Sequence, residues 1–165
     1  MTDTDDRSPS DDAAGGPFEL EISRYIDAPR AVVWRVWTER TVEWFAPKPW
    51  TTRIIAQDMR PGGRSSLVMS GPDGDTPPIE GVFLEVVPEV RIVTTDAYRV
   101  GWIPQPPFMT GLWEFADEGS GTRYTARSRH WTVEAKEQHE AMGFEQGWGV
   151  VADQLAALAE AEAGG

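Results

Sequence analysis

The chain has 165 residues with no cysteine, two histidines and eight tryptophans, and its 27 acidic against 15 basic side chains give a formal charge of -12. These numbers exclude disulfide scaffolds and thiol nucleophiles, leave too few ligands for a Cys/His zinc cage, and oppose binding to a polyanion such as nucleic acid. No apolar run approaches the ~18 residues that cross a bilayer, so no membrane span is expected, and the length fits a single domain of roughly 100–200 residues.

Residues 1–17 hold five aspartates against Arg7, a net charge of -4, and no aromatic side chain. Such a segment buries too little apolar surface to offset its ordering entropy and is expected to be a disordered acidic tail. It also lacks the hydrophobic stretch of a secretory signal, which points to a cytoplasmic protein. The folded domain is therefore expected over residues 18–162.

Phe18 to Ile26 alternates in polarity and predicts a strand. Asp27-Ala28-Pro29 follows, with Pro29 suited to a first helical position and Asp27 the one side chain able to cap it. Val33, Val36 and Trp37 then share a helical stripe that ends near Thr38, and Thr41–Phe45 predicts a second short helix stopped by Pro47 and Pro49. Thr51–Gln57, Arg64–Ser70, Ile79–Val87 and Val90–Tyr98 have strand character, separated by Pro- and Gly-containing turns. Residues 99–107 carry three prolines and predict an irregular loop, after which Phe108–Ala116 and Thr122–Trp131 predict a hairpin. Val133–Glu162 has no proline and reads as one long amphipathic helix, with its stripe on Phe144, Trp148, Val151, Leu155 and Leu158. Gly143, Gly147 and Gly149 each cost such a helix about 1 kcal/mol, so they are expected to mark a kink, a close approach or a later true start.

This order predicts an α+β fold in which a curved antiparallel sheet wraps one long C-terminal helix and leaves a cavity between them. On the last strand Tyr124, Ala126, Ser128 and His130 share one face, while Arg127 and Arg129 fall on the other. Arginines are costly in an apolar interior, so the His130 face is expected to point inward. Phosphate-binding glycine loops are absent, since Gly119-Ser-Gly121 falls in a hairpin turn. His130 and His139 lie nine apart and can converge only from a strand and the helix behind it, with Glu140 or Glu145 close by. Against that stands the plainer reading of His139 as a solvated helix residue, and no metal or other cofactor is assigned.

The element order and local motifs resemble the SRPBCC (START-like, helix-grip) superfamily, in its activator of Hsp-90 ATPase-like branch. The resemblance rests on Ala28-Pro29 with Val33-Trp34-Arg-Val-Trp37, on Trp44-Phe45-Ala-Pro47, and on Asp58-Met-Arg-Pro-Gly-Gly63-Arg64. It continues through Pro72-Asp-Gly74, Gly81 with Glu85-Val-Val-Pro88, Gly121-Thr-Arg-Tyr-Thr125, His130-Trp131, and the segment from His139 to Trp148. It implies a helix-grip fold of six to seven strands around the long helix, with two short helices after the first strand. It also implies a deep apolar cavity that binds a hydrophobic or aromatic small molecule. Within it the expected lining is Trp44, Phe45, Trp50, Phe108, Trp113, His130, Met142, Phe144 and Trp148. A polyketide cyclase or aromatase-like enzyme is the alternative, with His130 as its catalytic acid/base and His139 and Glu140 as runners-up. A co-chaperone role is a further alternative, set back because the co-chaperone that names the branch has another domain in front of this one. An apolar ligand is the expected partner, neither nucleic acid nor membrane is, and a homodimer is left open.

Overall fold

The computed structural model describes residues 18–165; the acidic segment 1–17, expected to be disordered, lies outside the described residues. The first strand, β1 (Glu19–Ile26), leads into α1 (Arg30–Glu39) and the single turn α2 (Thr41–Trp44). Ten strands are described in all: β2 (Thr51–Gln57), β3 (Arg64–Gly71), β4 (Gly74–Asp75), β5 (Ile79–Val87), β6 (Arg91–Thr95), β7 (Tyr98–Arg99), β8 (Ile103–Pro104), β9 (Thr110–Glu118) and β10 (Gly121–Arg129) complete the set. The chain ends in α3 (Val133–Ala141) and α4 (Phe144–Gly164).

Seven strands form one antiparallel sheet in the order β1-β10-β9-β6-β5-β3-β2, with β4 paired to the end of β3. The sheet curls strongly around α4. Two register shifts contribute to that curl, between Ile54 and Ala56 on β2 and between Phe83 and Glu85 on β5, because a bulge bends its strand and increases local twist. The concave face carries the core: Ile22, Phe83, Ile92, Trp113, Phe115, Tyr124 and Ala126 meet Phe144, Ala152, Leu155 and Ala159 of α4. The convex face is charged. Arg127 lies opposite Glu21 in the register, ion-pairs with it at 3.0 Å and also pairs with Glu114, while Arg129 pairs with Glu19 at 2.9 Å. The alternation read on β10 thus sorts its arginines outward with carboxylate partners.

Three sequence expectations are corrected. Asp27 does not cap α1: Pro29 holds the N-cap position in extended backbone (φ -61°, ψ 150°), no side chain caps the helix, and the Asp27 N–H donates instead to Glu160 Oε1 at 3.0 Å. The predicted single C-terminal helix is two, separated where Gly143 adopts φ 92°, a left-handed conformation that a Cβ disfavours. Gly149 marks a close approach, since a Cβ there would lie 2.8 Å from Arg24 Nη2. The proline-rich loop after β6 is partly ordered as the β7–β8 ribbon. At its tip Trp102 is 56% exposed, with its ring edge against Tyr98.

Helix α2 closes one end of the concave face. Gln154 of α4 holds it there by donating from Nε2 to the carbonyls of Trp44 (3.0 Å) and Ala46 (2.9 Å) and accepting from the Lys48 N–H at Oε1 (3.0 Å). One side chain therefore satisfies two carbonyls that the end of the short helix leaves without intrahelical partners.

Candidate functional site

Between the sheet and α4 lies a cavity of about 670 Å³. Its wall is mostly aromatic and aliphatic because the inward positions of β5, β9 and β10 and the sheet-facing stripe of α4 converge on it. Trp44, Phe45, Phe108, Trp113, Met142, Phe144 and Trp148 all contribute to the lining. A row of ring contacts runs along this wall. Trp44 packs against Trp37 (centroids 5.4 Å apart), Trp37 against Trp113 (5.4 Å), Trp113 stacks on Trp148 (5.9 Å, 7° between planes), and Trp148 meets His139 edge-on (5.8 Å). The rim is wet: Pro78, Ile79, Pro106 and Met142 line the cavity and are exposed, Met142 at 68%.

Two of the nine expected lining residues sit elsewhere. Trp50 packs over Gly71, where an added Cβ would overlap its ring, and lines a separate surface pocket with Val42, Pro49 and Leu158. His130 is buried, at 6% exposure, yet does not line the cavity. Its Nδ1 lies 2.8 Å from the Phe18 carbonyl, its Nε2 lies 2.9 Å from His139 Nδ1, and Phe108 covers its ring edge-on at 5.6 Å. His139, expected as a solvated helix residue, is the histidine at the wall, 8% exposed and packed among Phe108, Phe144 and Trp148. Glu140 and Glu145 do not join the pair; both are exposed.

The polar groups of the wall fall into two sets. Most are satisfied within the protein. Thr41 Oγ1 donates to the Trp37 carbonyl (2.6 Å) and accepts from Gln57 Nε2 (3.1 Å), and Gln105 Nε2 donates to the Glu80 carbonyl (2.7 Å). Asp96 Oδ1 accepts from the N–H groups of Phe108 (2.9 Å) and Met109 (3.2 Å); burial pushes its carboxyl above the usual range, against the pull of those N–H groups. Glu80 is held below the usual carboxylate range by its two hydrogen bonds from Arg64. The second set is left open. Trp44 Nε1 and Ser66 Oγ are buried without a hydrogen-bond partner. Tyr124 accepts from Trp37 Nε1 at 3.3 Å, and its own proton has no acceptor among the described residues. Burial raises the Tyr124 phenol, so it stays protonated.

Burial also lowers His139 to about 4, with the neighbouring His130 charge acting in the same direction, so this ring is neutral at physiological pH. Asp96 was not expected at the site. Its only sequence signal is an acid placed between a β-branched strand end and a proline-rich loop, which a surface turn shares.

The family model described as Activator of Hsp90 ATPase homolog 1-like protein matches residues 27–160. No protein of curated function matches the chain. Among solved structures, a Nitrosomonas europaea protein is 40% identical and superposes with a TM-score of 0.80, the match covering 87% of this chain and 95% of that one. A Mycobacterium smegmatis protein (24% identity, TM-score 0.72, covering 86% and 90%) shares the fold. So does an AHSA1-like protein from Aeromonas hydrophila (21%, TM-score 0.61, covering 87% and 93%). The curled sheet gripping α4, the family match across most of the chain and the 40% identity agree: this chain belongs to the activator of Hsp90 ATPase homolog 1-like family of the SRPBCC superfamily.

Proposed function

We propose that the protein binds an apolar or aromatic small molecule in the cavity between α4 and the sheet. The observation that carries this reading is the cavity itself. Its volume of about 670 Å³ lies within the roughly 300–1,000 Å³ of small-molecule sites, and its wall is built mostly of large apolar side chains. Core residues of this size ordinarily pack to a density that leaves few voids larger than a water molecule, so a space this large among tryptophans is costly unless something occupies it. Among the described residues no lysine or arginine lines the cavity, while Glu80 and Asp96 do. A carboxylate or phosphate headgroup would meet acids and no cation there, which favours an uncharged ligand.

An acid/base role for His130 finds no support in its position, since the ring faces Phe18 and His139 rather than the cavity. The test of the binding reading is a titration with a neutral fluorescent naphthalene, 6-propionyl-2-(dimethylamino)naphthalene. Saturable 1:1 binding with a blue-shifted emission is expected, lost in Ala126→Phe, which places a large ring on the inner face of β10. Absence of saturable binding, or undiminished binding in a folded Ala126→Phe variant, contradicts it.

A further inference from the structure

The two histidines and the Phe18 carbonyl form a chain whose proton positions can be deduced. A carbonyl oxygen only accepts, so His130 Nδ1, 2.8 Å away, carries a hydrogen and donates it. In a neutral ring His130 Nε2 is then bare. It faces His139 Nδ1 at 2.9 Å; two bare nitrogens at that distance would repel, so His139 Nδ1 carries the next hydrogen and donates it to His130. Ser128 Oγ, 3.3 Å from His139 Nδ1 and 3.1 Å from His130 Nε2, fits the same direction, and its hydrogen has Met109 Sδ at 3.2 Å as an alternative acceptor. The last nitrogen, His139 Nε2, is left without a hydrogen. It has no hydrogen-bond partner among the described residues, on a ring that lines the cavity.

The opposite end of the aromatic row offers no such group: Trp44 Nε1 is closed in, and Tyr124, whose hydroxyl accepts from Trp37, is 1% exposed. Trp37, Trp113 and Trp148 continue the row from there to His139, whose Nε2 is the acceptor at the wall.

We infer that the cavity selects an uncharged, largely aromatic ligand that presents a hydroxyl group to His139 Nε2. This rests on the binding reading above and adds the chemistry of the one polar atom the wall leaves reachable. A ligand lacking the hydroxyl covers His139 Nε2 without giving it a partner, and that loss sets the discrimination.

Two measurements on the full chain test it. With only two histidines, ¹⁵N-histidine labelling gives four ring nitrogens to assign. At neutral pH His139 Nε2 is expected at the shift of a bare, pyridine-type nitrogen, with hydrogens on His139 Nδ1 and His130 Nδ1. A protonated His139 Nε2 overturns the inference. The second measurement is a competition series on one ring system: 6-hydroxy-2-acetylnaphthalene, 2-acetylnaphthalene, 6-hydroxy-2-ethylnaphthalene and 6-hydroxy-2-naphthoate. Removing the hydroxyl is expected to weaken binding about tenfold, the worth of one good hydrogen bond, and removing the ketone is expected to change it little. The carboxylate is expected to bind weakest. His139→Phe is expected to remove the hydroxyl preference. Equal affinities across the series overturn this inference while leaving the binding reading intact; binding of none of the four removes both.

Discussion

His139 shows how one buried side chain ties stability to pH. Its folded pKa of about 4 lies below the ordinary value of 6.5, so between these values the unfolded chain binds more protons than the folded one. Stability therefore rises as pH rises from about 4 to about 6.5, is fully present above 6.5, and is lost as pH falls. A shift of this size is worth about 2–3 kcal/mol, at roughly 1.4 kcal/mol per pKa unit and discounted for the part of the ring that water reaches. The titratable group that faces it is His130, just beyond the end of β10. Denaturant unfolding at stepwise pH checks this. His139→Gln is expected to lose about one proton of pH dependence between pH 4 and 6.5, and an unchanged slope contradicts the assignment. Little of this was legible in the sequence. A histidine in an acidic, low-hydrophobicity turn of helix between Gln138 and Glu140 looks solvated, and only the return of α3 beneath Phe108 buries it. The inward face of β10 was legible, because period-two alternation separates Tyr124, Ala126 and Ser128 from arginines that cannot enter an apolar interior.

At the scale of elements, the glycines of the C-terminal segment carry the most testable consequence. Three glycines in a helical pattern signalled that something interrupts it, but pattern alone could not say which one does. Gly143 is the break, at φ 92°, whereas Gly147 sits in regular helix with nothing within 4 Å of an added Cβ. Gly143→Ala is therefore expected to destabilise the fold by about 1–2 kcal/mol, the cost of a left-handed alanine. Gly147→Ala is expected to stabilise it by about 0.5–1 kcal/mol through helix propensity. Chemical denaturation of the two variants reads the opposite signs; the same sign for both contradicts the break. Strand positions were legible almost throughout, since β-branched runs bounded by Pro and Gly turns leave few alternatives. The missing cap at Asp27 was not, because the helix begins at Arg30 with Pro29 at the N-cap, two residues beyond the acid.

Over the whole molecule, the charged exterior and the cavity divide the composition between them. The arginines of the convex face are matched to carboxylates across strands, and the tryptophans gather on the concave side, where five of the eight, Trp37, Trp44, Trp113, Trp148 and, by its packing on Phe115, Trp34, belong to the core or its margin. Trp50, Trp102 and Trp131 do not line the cavity, so an excess of tryptophan in the sequence overstates how many face one site. The sequence led to the expectation of a gap but not to its size or lining, which depend on how far the curl of the sheet falls short of the surface of α4. The central claim is that this gap holds a small, uncharged molecule, and native mass spectrometry of the full chain, as purified and after addition of 6-hydroxy-2-acetylnaphthalene, tests it most directly. A 1:1 noncovalent adduct on the folded charge states is predicted, displaced or diminished in Ala126→Phe; bare chain alone under both conditions would contradict it.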